Sequence, residues 1–202
     1  MVCRNPLRKI RKPITIKPFS VQTPRLSKTS GCITCLSQNM EQRIEDCSKI
    51  IAQKGMTIAF AESATAGWLC SEFALTEQSG KVLKGGITCY DASLKESLLG
   101  VPHEMIERFT PESQEVTDEL ARRLPKLMPA DIHVAVTGLT TPGGSETPDK
   151  PVGTMFISAV VKGKLYQHRE VFKGDCETII AQTIKAAANM LIAALEPLPA
   201  SR

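Results

Sequence analysis

The chain has 202 residues, 42% hydrophobic and 23% charged, with a formal net charge of +4. That composition suits one ordinary soluble domain with residues to spare. Hydrophobic runs fall short of the roughly 18 residues a membrane span needs, and no basic start leads into an apolar stretch and cleavage site, so neither membrane association nor secretion is expected. The seven cysteines are odd in number and scattered, which suits a reducing, cytoplasmic setting better than a disulfide framework.

Charge divides the chain in two. Residues 1–39 carry Arg4, Arg8, Lys9, Arg11, Lys12, Lys17, Arg25 and Lys28 and no Asp or Glu. Removing their +8 from the total leaves the remainder at −4, so the body is mildly acidic and nucleic acid is not an expected partner. Pro6, Pro13, Pro18 and Pro24 interrupt this segment, no helical or strand period runs through it, and disorder is expected over 1–39. It reads as an organelle transit peptide, a basic arm for a polyanion, or an extension upstream of a working start at Met40. The clean amphipathic pattern that opens at Met40 favours the third. Cys32-Ile33-Thr34-Cys35 lies here without a second ligand pair at zinc spacing, so no metal or redox role is expected.

The body, 40–202, is taken in order. Ile44, Cys47, Ile50 and Ile51 form one stripe of a helix over 41–54, with Gly55 as its stop. A strand is expected over 56–61, a helix over 65–76, a strand over 85–90 and a helix over 92–99 ended by Gly100 and Pro102. Thr110 reads as an N-cap with Pro111 at the first helical position, starting a helix that Pro125 breaks near Leu124. A strand follows over 131–137, then a Gly- and Pro-rich loop over 138–151, strands over 152–161 and 164–172, and a helix over 176–195. Alternating strands and helices followed by a hairpin predict an α/β sandwich with a mixed sheet. The long loop leaves the end of a strand, where open α/β sheets build their sites.

Polar residues collect at the expected strand ends. Ser63 closes the first strand, Tyr90 and Lys95 follow the second, and Thr137 closes the third. Serine, tyrosine and lysine make a nucleophilic set that needs no metal: a lysine held near neutrality can take the serine proton, and a tyrosine can relay it. Backbone N–H groups at the helix start after Ser63 are candidate oxyanion donors. The bland reading of each is a helix cap and a solvated lysine. His103 and His133 read as surface and strand-face histidines, Cys70 and Cys89 as small buried residues, and Trp68 as packing.

The segments "AESATAG", "GGITCYDASLKESLLGV", "AVTGLTTPGG" and "KPVGTMFISA" resemble, in order and spacing, the blocks of the CinA C-terminal domain family, over about 41–195. The resemblance implies a three-layer α/β/α sandwich and, for many members, hydrolysis of nicotinamide mononucleotide to nicotinate mononucleotide and ammonia, without a cofactor. It implies Ser63 as nucleophile, Tyr90 and Lys95 as its activating pair, and Thr65, Gly67, Thr137, Gly138 and position 176 as substrate contacts. Lys150 to Gly153 match a structural turn. The N-terminal molybdopterin-binding-like domain of larger members, with its metal-dependent pyrophosphatase activity, is not expected.

The departures are specific. The family's A-E-S-C-T-G-G is here Ala61 to Gly67 with Ala64 for Cys and Ala66 for Gly, and Ala66 is expected to narrow the site. Thr141 replaces a glycine of T-G-I-A-G-P, G-A-V-S becomes Thr110-Pro111-Glu112-Ser113, and Cys176 stands for an arginine able to hold an anion bidentately. The alternative to an amidase is therefore a divergent paralogue with a changed substrate, or with a non-catalytic nucleotide- or protein-binding role. A homo-oligomer is possible through the helices at either end of the body.

Overall fold

A computed structural model describes residues 31–196, with side chains from residue 38 onward. The first helix, α1 (Gly31–Gln53), begins ahead of the expected 39/40 boundary. Pro24 is the last proline before it, and extending a helix already nucleated from Met40 costs little per residue. Residues 1–30 of the segment expected to be disordered lie outside the described residues, as do the side chains of Cys32 and Cys35. From Met40 the stripe Met40, Ile44, Cys47, Ile51 is buried. Gly55 ends the helix at φ 64°, with Gly55 N–H bonding the Ala52 carbonyl and Met56 N–H the Ile51 carbonyl, a Schellman cap.

The sheet holds β1 (Ile58–Glu62), β2 (Leu83–Thr88), β3 (Ile132–Gly138), β4 (Thr154–Val161) and β5 (Lys164–Val171) in the order β2-β1-β3-β4-β5. β1 is parallel to β2 and β3, and β4 is antiparallel to both β3 and β5, so the sheet is mixed. Lys162 and Gly163, at φ 48° and 80°, form the two-residue turn between β4 and β5.

Side-chain alternation sorts two layers. Ile58, Phe60, Val134, Val136 and Ile157 face α1 and the last helix, α7 (Cys176–Leu195). Ala59, Ala61 and Ala135, smaller, face α6 (Gln114–Leu127), which lies over the sheet centre. α7 is apolar and long enough to cross a membrane by composition, but it packs against α1 and β4 with its buried face, as a core helix does.

Four further helices differ from expectation. α2 (Trp68–Ala74) starts three residues late, because Ser63 to Gly67 are turns, with Ala66 and Gly67 left-handed. α3 (Ser79–Val82) and α5 (His103–Phe109) were not expected. Thr110 is not an N-cap: it closes α5 at φ 70°, ψ 155°, a region that favours glycine, and Ser113 caps α6 by accepting from Val116 N–H. Pro125 does not break α6, which continues to Leu127; in the last turn only one helical bond is forfeited. By contrast α4 (Ala92–Leu99) keeps its expected bounds, capped by Asp91 and ended by Gly100.

Gly153 ties the loop to the sheet. Its N–H bonds the Leu139 carbonyl and its carbonyl accepts from Phe172 N–H. At φ 93° a Cβ there would stand 2.0 Å from the Phe172 carbonyl oxygen. Gly153→Ala is expected to cost on the order of 3 kcal/mol, from backbone strain and overpacking together. Thermal melting of the variant beside the parent checks this.

Candidate active site

Parallel pairing brings the carboxyl ends of β1 and β3 to one edge. Ser63 continues β1 by one residue, its N–H bonding the Val136 carbonyl at 2.9 Å. Lys95 stands on the first turn of α4, so the Asp91 cap and the chain from β2 aim it back at that edge. Its Nζ lies 3.1 Å from Ser63 Oγ and donates to the Cys89 carbonyl at 3.0 Å. Ser63 is 6% exposed and Lys95 0%. Burial pushes the Lys95 ammonium below the ordinary lysine value, and Glu112, Cys89 and Asp91 pull it back up.

A cavity of about 180 Å³ opens over Ser63, lined also by Ala64, Tyr90, Glu112 and the loop 138–144. Tyr90 is 67% exposed and its hydroxyl makes no hydrogen bond among the described residues. Tyr90 thus lines the cavity beside Ser63, and α4 delivers Lys95 directly to Ser63. Gly138 lines the cavity at φ 154°, and a Cβ there would meet Met155 Sδ at 2.3 Å.

Other expected contacts fall elsewhere. Thr137 is buried under the site, its Oγ1 2.7 Å from Thr117 Oγ1 on α6. Cys176 starts α7 and is not part of the cavity wall. Thr65 and Gly67 belong to a cage around Glu62, which sequence reasoning passed over. Glu62 is 1% exposed; its Oε2 accepts from Thr65 Oγ1 at 2.6 Å, Gly67 N–H at 3.0 Å and Leu69 N–H at 3.1 Å, and its Oε1 from Cys70 N–H at 2.8 Å. The signal was available: Glu62 follows Ile58 and Phe60 at the inward period of a strand.

This cage uses the amides of the α2 start, which were expected to face an oxyanion. Ala64 and Thr65 keep N–H groups beside Ser63 that bond no acceptor among the described residues. Ala66 is exposed and outside the cavity wall, so it does not narrow the site; its effect is a left-handed φ of 51° that glycine would adopt freely. Across the cavity, Lys150 Nζ donates to Thr110 Oγ1, the Glu112 carbonyl and Ser145 Oγ, clamping the loop to the α5–α6 connection. Glu146 accepts from Gly143 N–H at 2.6 Å. Of the residues given the bland reading, His103 is exposed and paired with Glu96, His133 is buried against the Met128 carbonyl, Cys89 is buried, and Cys70 only half so.

Fold and site together define an α/β/α protein with a serine–lysine pair at the carboxyl edge of a mixed sheet. The model of the CinA C-terminal domain matches residues 40–195. A CinA-like protein of Prochlorococcus marinus is 37% identical over 142 residues, 70% of this chain and 32% of that protein. The chain thus spans about a third of the length of such relatives. A CinA superfamily protein from Escherichia coli superposes with a TM-score of 0.73 at 28% identity, covering 77% of this chain and 90% of its own. The competence/damage inducible protein from Agrobacterium tumefaciens gives 0.74 at 26% identity, covering 78% and 96%. The chain belongs to the CinA C-terminal domain family.

Proposed function

We propose that this protein is a serine amidohydrolase that deamidates nicotinamide mononucleotide, or a close pyridine nucleotide, to the corresponding acid and ammonia. The observation that carries it is the direct contact of Lys95 Nζ with Ser63 Oγ, both buried, with Ser63 lining a cavity. Neutral Lys95 takes the Ser63 proton as Oγ bonds the carboxamide carbon, and the carbonyl electron pair moves to oxygen. The Ala64 and Thr65 amides hold that oxyanion. Protonated Lys95 then gives its proton to the amide nitrogen, the C–N bond breaks and ammonia leaves. A water, deprotonated by Lys95, attacks the Ser63 ester, releasing the acid and restoring the serine hydroxyl.

A changed substrate is the second reading, favoured by a cavity wall with no cationic side chain to hold a nucleotide phosphate. Incubation of the purified protein with nicotinamide mononucleotide, with ammonia and the acid product measured between pH 6 and 9, tests the first reading. Stoichiometric release of both supports it, and no turnover across that range overturns it.

A further inference from the structure

We propose that Glu112 is the specificity-determining residue of this cavity: its carboxylate is the counter-ion for a carboxamide carried on a cationic ring. The assignment rests on the amidase reading and names the charge class of its substrate. Glu112 is the one charged side chain of the cavity wall. Its Oε2 accepts from Ser145 Oγ at 2.5 Å, while its Oε1 has no hydrogen-bond partner and the carboxylate no ion pair among the described residues.

The nearby cations make no direct contact with it, although Lys150 reaches it through the Ser145 hydroxyl and both Lys150 and Lys95 feel its charge. Lys150 spends three donors on the Thr110 hydroxyl, the Glu112 main-chain carbonyl and the Ser145 hydroxyl. Lys95 is buried against Ser63 and the Cys89 carbonyl. Lys150 therefore acts as a clamp that fixes the backbone from which the Glu112 carboxylate projects.

Size then decides what sits beside that carboxylate. At about 180 Å³ the cavity is below the ~300–1,000 Å³ common for pockets that enclose a drug-sized ligand. It holds the amide-bearing ring, and the rest of a nucleotide extends past the mouth. A carboxamide carbon placed at Ser63 puts its ring in the space Glu112 lines. A quaternised pyridine ring carries a positive charge and has no N–H, so a carboxylate attracts it by charge where no hydrogen bond is possible. Partial exclusion of water strengthens that attraction.

The test measures binding to the Ser63→Ala protein, with 1-methylnicotinamide as the cation and nicotinamide as its neutral counterpart. The cation is expected to bind about tenfold tighter or better. Adding Glu112→Gln, which keeps an acceptor for Ser145, is expected to bring the ratio near unity by weakening the cation alone; Glu112→Asp is expected to keep part of the preference. Equal affinities, no binding of the cation, or a Glu112→Gln effect that weakens both ligands alike overturns the assignment. Turnover is read separately. Ammonia release from the nucleotide without a charge preference overturns only the role of Glu112, and a Glu112-dependent preference without ammonia release supports that role and overturns the amidase reading.

Discussion

Replacing Lys95 by methionine is expected to lower amide hydrolysis by about 10²–10⁴-fold, the usual contribution of a positioned general base. Ser63→Ala is expected to bring it to background, since no other hydroxyl stands within reach of Lys95 Nζ among the described residues. Steady-state ammonia release from the nucleotide measures both. The methionine variant should fold as well as the parent or better, because a similar volume stays buried and no charge has to be desolvated. A loss of activity accompanied by a collapse of the thermal transition would count against a chemical role.

The same burial sets the pH behaviour. Folding lowers the Lys95 value, so the unfolded chain binds more protons in the window between the folded value and the ordinary 10.5. Stability from this group therefore rises with pH across that window. The base is the neutral amine, so activity should also rise with pH on a limb below the ordinary lysine value, and Lys95→Met should remove that limb.

Glu62→Gln is expected to cost about 3 kcal/mol, since one amide group cannot accept from all four donors now bound to the carboxylate. At 2–4 °C per kcal/mol for a domain of this size, melting should fall by about 6–12 °C. Activity should fall with it, because Glu62 shapes the turn that carries the Ala64 and Thr65 amides. Calorimetry of the variant, with turnover measured well below its transition, separates the two effects. A variant that melts with the parent would remove Glu62 from this role.

Much of the fold was legible in local pattern. The stripe of α1, the bounds of α4 and the length of α7 follow from periodicity and from the Gly55, Asp91 and Gly100 caps. Errors fell where a local signal had two readings. Thr110-Pro111 looks like a helix start, yet the α6 cap is Ser113, two residues beyond that proline, and Thr110 ends α5 in a glycine-like conformation held against Lys150. Pro125 looks like a stop, but a proline this close to a helix end sacrifices a single bond.

The sequence by itself determined the alternation of strands and helices, the family blocks, and Ser63 and Lys95 as residues worth testing. It could do so because hydrophobic period, capping chemistry and ordered motifs are properties of neighbouring residues. Only the tertiary structure decided which polar groups meet. It placed Lys95 on Ser63 without Tyr90 between them, turned Thr65 and Gly67 toward Glu62, left Cys176 off the cavity wall, and brought Glu112 onto it. Those placements depend on parallel pairing of β1 with β3 and on the angle at which α4 and α6 return to the sheet. Both are set by contacts between residues far apart in the chain, which no local pattern carries.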